Sequence, residues 1–241
     1  MKKLIIIPAY NEEKNIVRVI EDILNNVNGF DYIIVNDCST DDTINLCKEK
    51  GFNVLNLPTN LGIGGCVQAG YKYARDNGYD IAIQFDGDGQ HNAKYIETLC
   101  SVMLEKEYDM VIGSRFINNV GFQSSTVRRI GIKFLSELIK SITKTNISDP
   151  TSGFRIINKQ VINCLCKYYP MDYPEPESIV SLCRMGYKVG EVPVIMNERI
   201  EGKSSISPSR SIYYMVKVSL AIIIDYLKTR NRKKKELLHG S

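Results

Sequence analysis

The chain has 241 residues, 44% hydrophobic and 24% charged, with 17 Gly and 8 Pro; this supports one sizeable core and excludes a disordered chain, a collagen-like chain and a small disulfide scaffold. Its formal net charge is +4, yet Lys228–Lys235 holds six basic residues and no acid, so the body is near neutral with a basic tail, which argues against a nucleic-acid-binding face on the globule. Two histidines (His91, His239) and seven cysteines without a CxxC pair leave little material for a zinc site or a Ser-His-Asp hydrolase. They imply a reducing cytoplasm in which thiols serve as small core residues.

The first half alternates strand and helix. Leu4–Ile7 reads as a buried strand too short for a signal peptide, and Asn11 is expected to cap a helix running to about Val27, with Glu12 and Glu13 in its first turn. Strand Tyr32–Val35 precedes a helix capped by Ser39 or Thr40 and closed by Gly51. Strand Val54–Leu57, helix Ile63–Asp76, strand Ile81–Phe85, a helix from Asn92 to Glu105 and strand Met110–Ile112 follow. The second half is less regular: a helix Thr126–Thr143, a turn at Asp149–Gly153, a strand near Phe154–Ile157, helices Lys159–Lys167 and Glu175–Met185, a strand Lys188–Val194 and a polar loop Asn197–Ser209. The pattern predicts an α/β fold, a mostly parallel mixed sheet with helices on both faces. The domain is expected to span 1–208, followed by an amphipathic basic helix over 209–235 and a tail over 236–241.

In such sheets ligands bind outside the carboxyl ends of the strands, where the polar clusters Pro8–Glu12, Asn36–Asp41 and Asp86–His91 fall. Asp86-Gly87-Asp88-Gly89-Gln90 places two carboxylates two positions apart, a donor set for one Mg²⁺ or Mn²⁺ that completes its shell with substrate phosphates; a polar turn is the structural alternative. The EF-hand pattern fails for lack of a Glu at loop position 12. Asp37 suits a ribose or base N–H equally with a structural role, whereas Ser39 and Asp41 suit helix capping. Asn60-Leu61-Gly62-Ile63-Gly64-Gly65 opens a helix as a phosphate cradle does, but Val67 breaks the dinucleotide fingerprint.

Taken in order, Pro8-Ala9-Tyr10-Asn11-Glu12, Asp37-Cys38-Ser39-Thr40-Asp41, Asn60-x-Gly62-x-Gly64, Asp86-Gly87-Asp88-Gly89-Gln90 and Gly113-Ser114-Arg115 resemble the family 2 glycosyltransferases of GT-A fold. Asp149–Arg155 and Glu198-Arg199-x-x-Gly202-x-Ser204 are similar to the polyprenyl-phosphate sugar synthase branch, typified by dolichol-phosphate mannose synthase. The resemblance covers about residues 4–206. It implies a metal-dependent inverting hexosyltransferase that uses a UDP- or GDP-linked sugar, with Pro8, Ala9, Tyr10, Glu12, Asp37, Gly64, Asp86 and Gly87 around the nucleotide sugar. It also implies Asp86, Asp88 and Gln90 as ligands of Mg²⁺ or Mn²⁺.

A polyprenyl phosphate acceptor is already an anion and needs cations, for which Arg115, Arg128, Arg129, Arg199 and Lys203 are the candidates. A glycan hydroxyl would instead need a base, for which Asp149, Glu175 and Glu177 are present. A non-catalytic nucleotide-sugar-binding protein is the reading from another class. Near the C-terminus Ser211, Tyr214, Lys217, Ala221, Asp225 and Lys228 form a narrow stripe on an otherwise apolar helix. Followed by the basic run, it is expected to lie on the cytoplasmic face of the membrane, or else to pack on the domain or in a homo-oligomer.

Overall fold

The computed structural model describes residues 1–121, 123, 125–170, 174–198 and 217–223. Seven strands form one sheet: β1 (Lys3–Ala9), β2 (Asp31–Asn36), β3 (Val54–Asn56), β4 (Ile81–Gln84), β5 (Met110–Ser114), β6 (Arg155–Asn158) and β7 (Val189–Pro193). Their spatial order is β3-β2-β1-β4-β6-β5-β7. Pairing is parallel throughout except for β6, which runs antiparallel to both β4 and β5. The expected α/β sheet is therefore present, with a single reversed strand.

Helices cover both faces. On one side lie α3 (Gly62–Asp76), α5 (Thr126–Thr143), α6 (Lys159–Lys167) and α7 (Pro174–Arg184), and on the other α1 (Ile16–Asn26), α2 (Thr43–Glu49) and α4 (Ile96–Glu105). Successive side chains of β1 alternate between the two cores, Leu4 and Ile6 into one, Ile5 and Ile7 into the other. All four are fully buried, and that is why the strand reads as an unbroken apolar run. Gly70 of α3 faces β1, where an added Cβ would lie 2.3 Å from Ile6 Cγ2, so this helix packs closer to the sheet than any side chain allows.

Two helix starts differ from expectation. α1 begins at Ile16, not after Asn11, and its cap residue Asn15 makes no side-chain cap bond. Asn11 takes a left-handed φ of 56°, which an Asn tolerates but a helix does not. α2 likewise starts at Thr43; Ser39 and Thr40 do not cap it, and Asp41 Oδ1 accepts the Thr43 N–H at 3.1 Å. Among the described residues no helix is long and apolar enough to cross a membrane. The helical stretch 217–223 buries Val218 and Ile222 in the domain core and exposes Leu220 and Ile223; the rest of the expected C-terminal helix lies outside the described residues.

Candidate active site

The chain leaves β1 for β2 and β3 on one side, then returns to β4 on the other. The topological switch point therefore lies between β1 and β4, the crevice where open α/β sheets bind ligands. The loop after β1 carries Pro8–Glu12 and the loop after β4 carries Asp86–Gln90, so the two strongest motifs face each other across it. Gly87 donates its N–H to Pro8 O at 3.3 Å, and a Cβ at Gly87 would lie 3.0 Å from that same oxygen. A larger residue would push the two loops apart.

The first loop is held by its neighbour after β2. Ser39 Oγ accepts the Asn11 N–H at 3.0 Å, Thr43 Oγ1 accepts the Glu12 N–H at 2.9 Å, and Asp41 Oδ2 accepts the Glu13 N–H at 3.1 Å. Ser39 and Asp41 thus fix the β1 loop, a role the capping expectation missed. Asp37 is buried, and its Oδ1 accepts the Leu61 N–H at 2.7 Å, which ties the entrance of α3, and with it Gly64, to the same rim. Tyr10 stands exposed at the lip.

Asp86 projects from β4 between two buried partners. Gln84 Nε2 donates to its Oδ1 at 3.1 Å, and His91 Nε2 lies 3.5 Å from its Oδ2. His91 Nδ1 accepts the Asp86 N–H at 2.9 Å, so in the neutral ring the proton sits on Nε2, toward the carboxylate. The imidazole stacks on Phe154 at 4.8 Å between centroids. Asp88 is buried, and its Oδ1 accepts the Gln90 N–H at 3.0 Å. Asn197, just past β7, donates its N–H to Gln90 O at 2.8 Å. Two carboxylates and one carboxamide on a loop pinned at both ends form an all-oxygen donor set that fits a hard divalent cation. Among the described residues no three His, Cys, Asp or Glu side chains converge as a metal cage.

The other half of the rim is built from buried charge. Asp149 is fully buried and binds Arg115 bidentately, Oδ2 to Nε at 2.7 Å and Oδ1 to Nη2 at 2.8 Å. Two residues proposed from the sequence for separate duties are therefore one ion pair. Arg155, also fully buried, gives its N–H groups to the carbonyls of Ser152, Pro150 and Glu175 and to Ser178 Oγ. Burial raises the pKa of the Glu175 carboxyl, an effect the Arg155 and Arg128 guanidinium groups oppose and the Asp86 charge reinforces; Glu175 therefore lies within electrostatic reach of the β4 loop. Glu177 is half-buried two residues further along α7, turned toward the other side of the helix. Beside this cluster a cavity of about 510 Å³ is lined by Arg129, Lys133, Ile130, Phe116 and Ser148, among others. Arg128 is half-buried on the same helix. Arg199 and Lys203 lie outside the described residues. Sequence reasoning missed Gln84, Asn197 and Glu191; only Glu191, a lone acid in an apolar strand, left a trace in the pattern.

The family model described as Glycosyl transferase family 2 matches residues 4–166. A UDP-N-acetylglucosamine–dolichyl-phosphate N-acetylglucosaminyltransferase of Methanococcus voltae is 30% identical over 79% of this chain and 83% of its own. An undecaprenyl-phosphate mannosyltransferase of Micrococcus luteus is 26% identical over 86% and 88%. The fold matches glucosyl-3-phosphoglycerate synthase of Mycobacterium tuberculosis, crystallised with Mn²⁺ and UDP, with a TM-score of 0.71 at 18% identity, covering 93% of this chain and 78% of that one. The sheet is thus of the GT-A type, and the chain, a glycosyltransferase, belongs to glycosyl transferase family 2.

Proposed function

We propose that this enzyme moves a hexose from a UDP- or GDP-linked sugar to a polyprenyl phosphate at the cytoplasmic face of the membrane, with inversion and with one Mg²⁺ or Mn²⁺. The observation that carries this reading is the meeting of the Pro8–Glu12 and Asp86–Gln90 loops at the switch point, where Gly87 donates its N–H to Pro8 O; a cavity lined by Arg129 and Lys133 lies next to the Arg115–Asp149 pair. The names of the two polyprenyl-phosphate relatives support the acceptor. Asp86, Asp88 and Gln90 would hold the cation, which when bound would neutralise the charge growing on the departing nucleoside diphosphate. Exposed Tyr10 offers a face for the base, and Pro8, Ala9, Glu12, Asp37, Gly64 and Gly87 shape the nucleotide cradle.

A phosphate acceptor is nucleophilic as it stands and needs no general base. Arg128 and Arg129, with Arg199 and Lys203, would gather it, while Arg115, clamped by Asp149, would supply a rigid edge. α5 exposes Ile130 and Phe134 one turn apart, and Ile130 also lines the cavity. Together with the basic run Lys228–Lys235, this face suits an anionic leaflet. A hydroxyl acceptor is the second reading, favoured by the raised Glu175 carboxyl within electrostatic reach of the β4 loop.

The test pairs a thermal-shift screen of UDP- and GDP-sugars, with and without Mn²⁺, with transfer to farnesyl phosphate. Expected are a stabilising donor, Mn²⁺-stimulated transfer, and turnover largely intact in Glu175→Gln and Glu177→Gln. Loss of turnover in one of those variants with nucleotide binding intact, or transfer to hydroxyl acceptors alone, would overturn the lipid-phosphate reading.

A further inference from the structure

Glu191 sits in the middle of edge strand β7, register partner of Ile112 in β5, and reaches across to the turn after α5. Its Oε1 accepts the Asp149 N–H at 2.8 Å, and its Oε2 accepts the Ser148 N–H at 2.7 Å and the Ser148 hydroxyl at 3.0 Å. Since Ser148 spends its one hydroxyl proton on Glu191, the 2.8 Å contact between Ser114 Oγ and Ser148 Oγ must have Ser114 as donor. Ser114 Oγ in turn accepts the Phe116 N–H at 3.3 Å. A chain with one direction results, from Phe116 N–H through two hydroxyls to a single carboxylate. It brackets Arg115, whose own N–H, Nε and Nη2 all end on Asp149. Both Phe116 and Ser148 line the 510 Å³ cavity.

We infer that Glu191 is a positioning residue of the acceptor side: its carboxylate holds the Ser148–Asp149 turn in the register that fixes Arg115 and two walls of the cavity. The role in acceptor use rests on the lipid-phosphate reading above; the role in holding the turn does not. A carboxylate is the one side chain that accepts three such donors at once without offering a competing proton. Burial raises its pKa, the Ser148 and Asp149 donors oppose that rise, and the neighbouring Asp149 charge adds to it. Glu191→Gln keeps the shape but turns an N–H₂ group toward backbone N–H donors, so at least one bond is lost.

Two measurements on the full chain decide the inference. In Glu191→Gln, hydrogen exchange should quicken in peptides covering 114–119 and 147–152 and stay unchanged over 4–12. The KM for farnesyl phosphate should rise about five- to thirtyfold, the cost of one such bond, with UDP or GDP affinity, whichever nucleotide the screen selects, within about twofold. Ser148→Ala, which removes one hydroxyl and no charge, should shift both readouts in the same direction by less, and it carries the test if Glu191→Gln does not fold. Unchanged exchange at 114–119 overturns the inference, as does an equal loss of donor and acceptor binding. Wild-type protein that takes no farnesyl phosphate overturns the acceptor reading, and exchange then decides the turn-holding role by itself.

Discussion

The two halves of the rim are built by different means. Around β1, β2 and β4 the chain makes parallel strands whose loops hold one another through backbone N–H groups and short polar side chains: Asn11 to Ser39, Glu12 to Thr43, Leu61 to Asp37. Around β5, β6 and β7 the frame is charged and buried: Arg115 on Asp149, Arg155 on three carbonyls, Glu191 on the Ser148–Asp149 turn. The first half is a cradle shaped by local turn chemistry. The second depends on buried charges, one ion pair and two groups held by neutral donors or acceptors, whose desolvation is offset only while every partner is present. A lesion in the first half should therefore remove a function, and one in the second should remove a structure.

The widest separation between the halves should appear in Asp88→Asn. If Asp88 holds the proposed cation, loss of its charge should lower kcat about 100- to 1,000-fold, with a near-unchanged melting temperature, read from Mn²⁺-dependent transfer and a thermal scan. EDTA should abolish the same activity. Next in size, Arg115→Ala strands a fully buried Asp149 carboxylate and should cost about 3–5 kcal/mol in chemical denaturation. An apolar double replacement, Arg115→Met with Asp149→Leu, should recover much of that loss while leaving transfer impaired. An Asp88→Asn that unfolds, or an Arg115→Ala as stable as wild type, would erase the distinction.

The smallest effect is one of pH. Burial lifts the Glu175 carboxyl above its ordinary 4.5, so the folded state favours its protonated form. That contribution is present in acid and is lost as pH rises through the lifted value. The neutral Glu175→Gln should therefore melt above wild type at about pH 7, with the gap closing below pH 4.5, measured as melting temperature against pH. A gap that widens in acid would reverse the sign and place the Glu175 carboxylate among favourable pairs.

Most of the first half of the rim was legible in the amino-acid order. Apolar runs of four or five residues ending at Pro8, Asn36 and Asp86 marked strands and the rim together, because a strand buried on both faces shows no polar alternation until it leaves the sheet. Where the reading slipped, a tertiary bond had displaced a local preference. Asn11, Ser39 and Thr40 are good caps, yet Asn11 and Ser39 are spent on bonds between two loops, and α1 and α2 start later. In the second half Arg115, Asp149 and Glu175 were recognised as chemical groups but given separate roles. Nothing in their spacing records that Arg115 closes on Asp149, 34 positions away.

The sequence alone determined the alternating order of elements, the two glycine-flanked carboxylates at the end of β4 and the family to which they belong. Those features rest on side-chain periodicity and turn stereochemistry, which act over a few residues. Tertiary structure alone decided that β6 runs backwards, that Arg115 closes on Asp149, and that Glu191 governs the turn beneath Arg115. Each of these is a contact between groups distant along the chain, and its energy depends on how much water the surrounding packing removes.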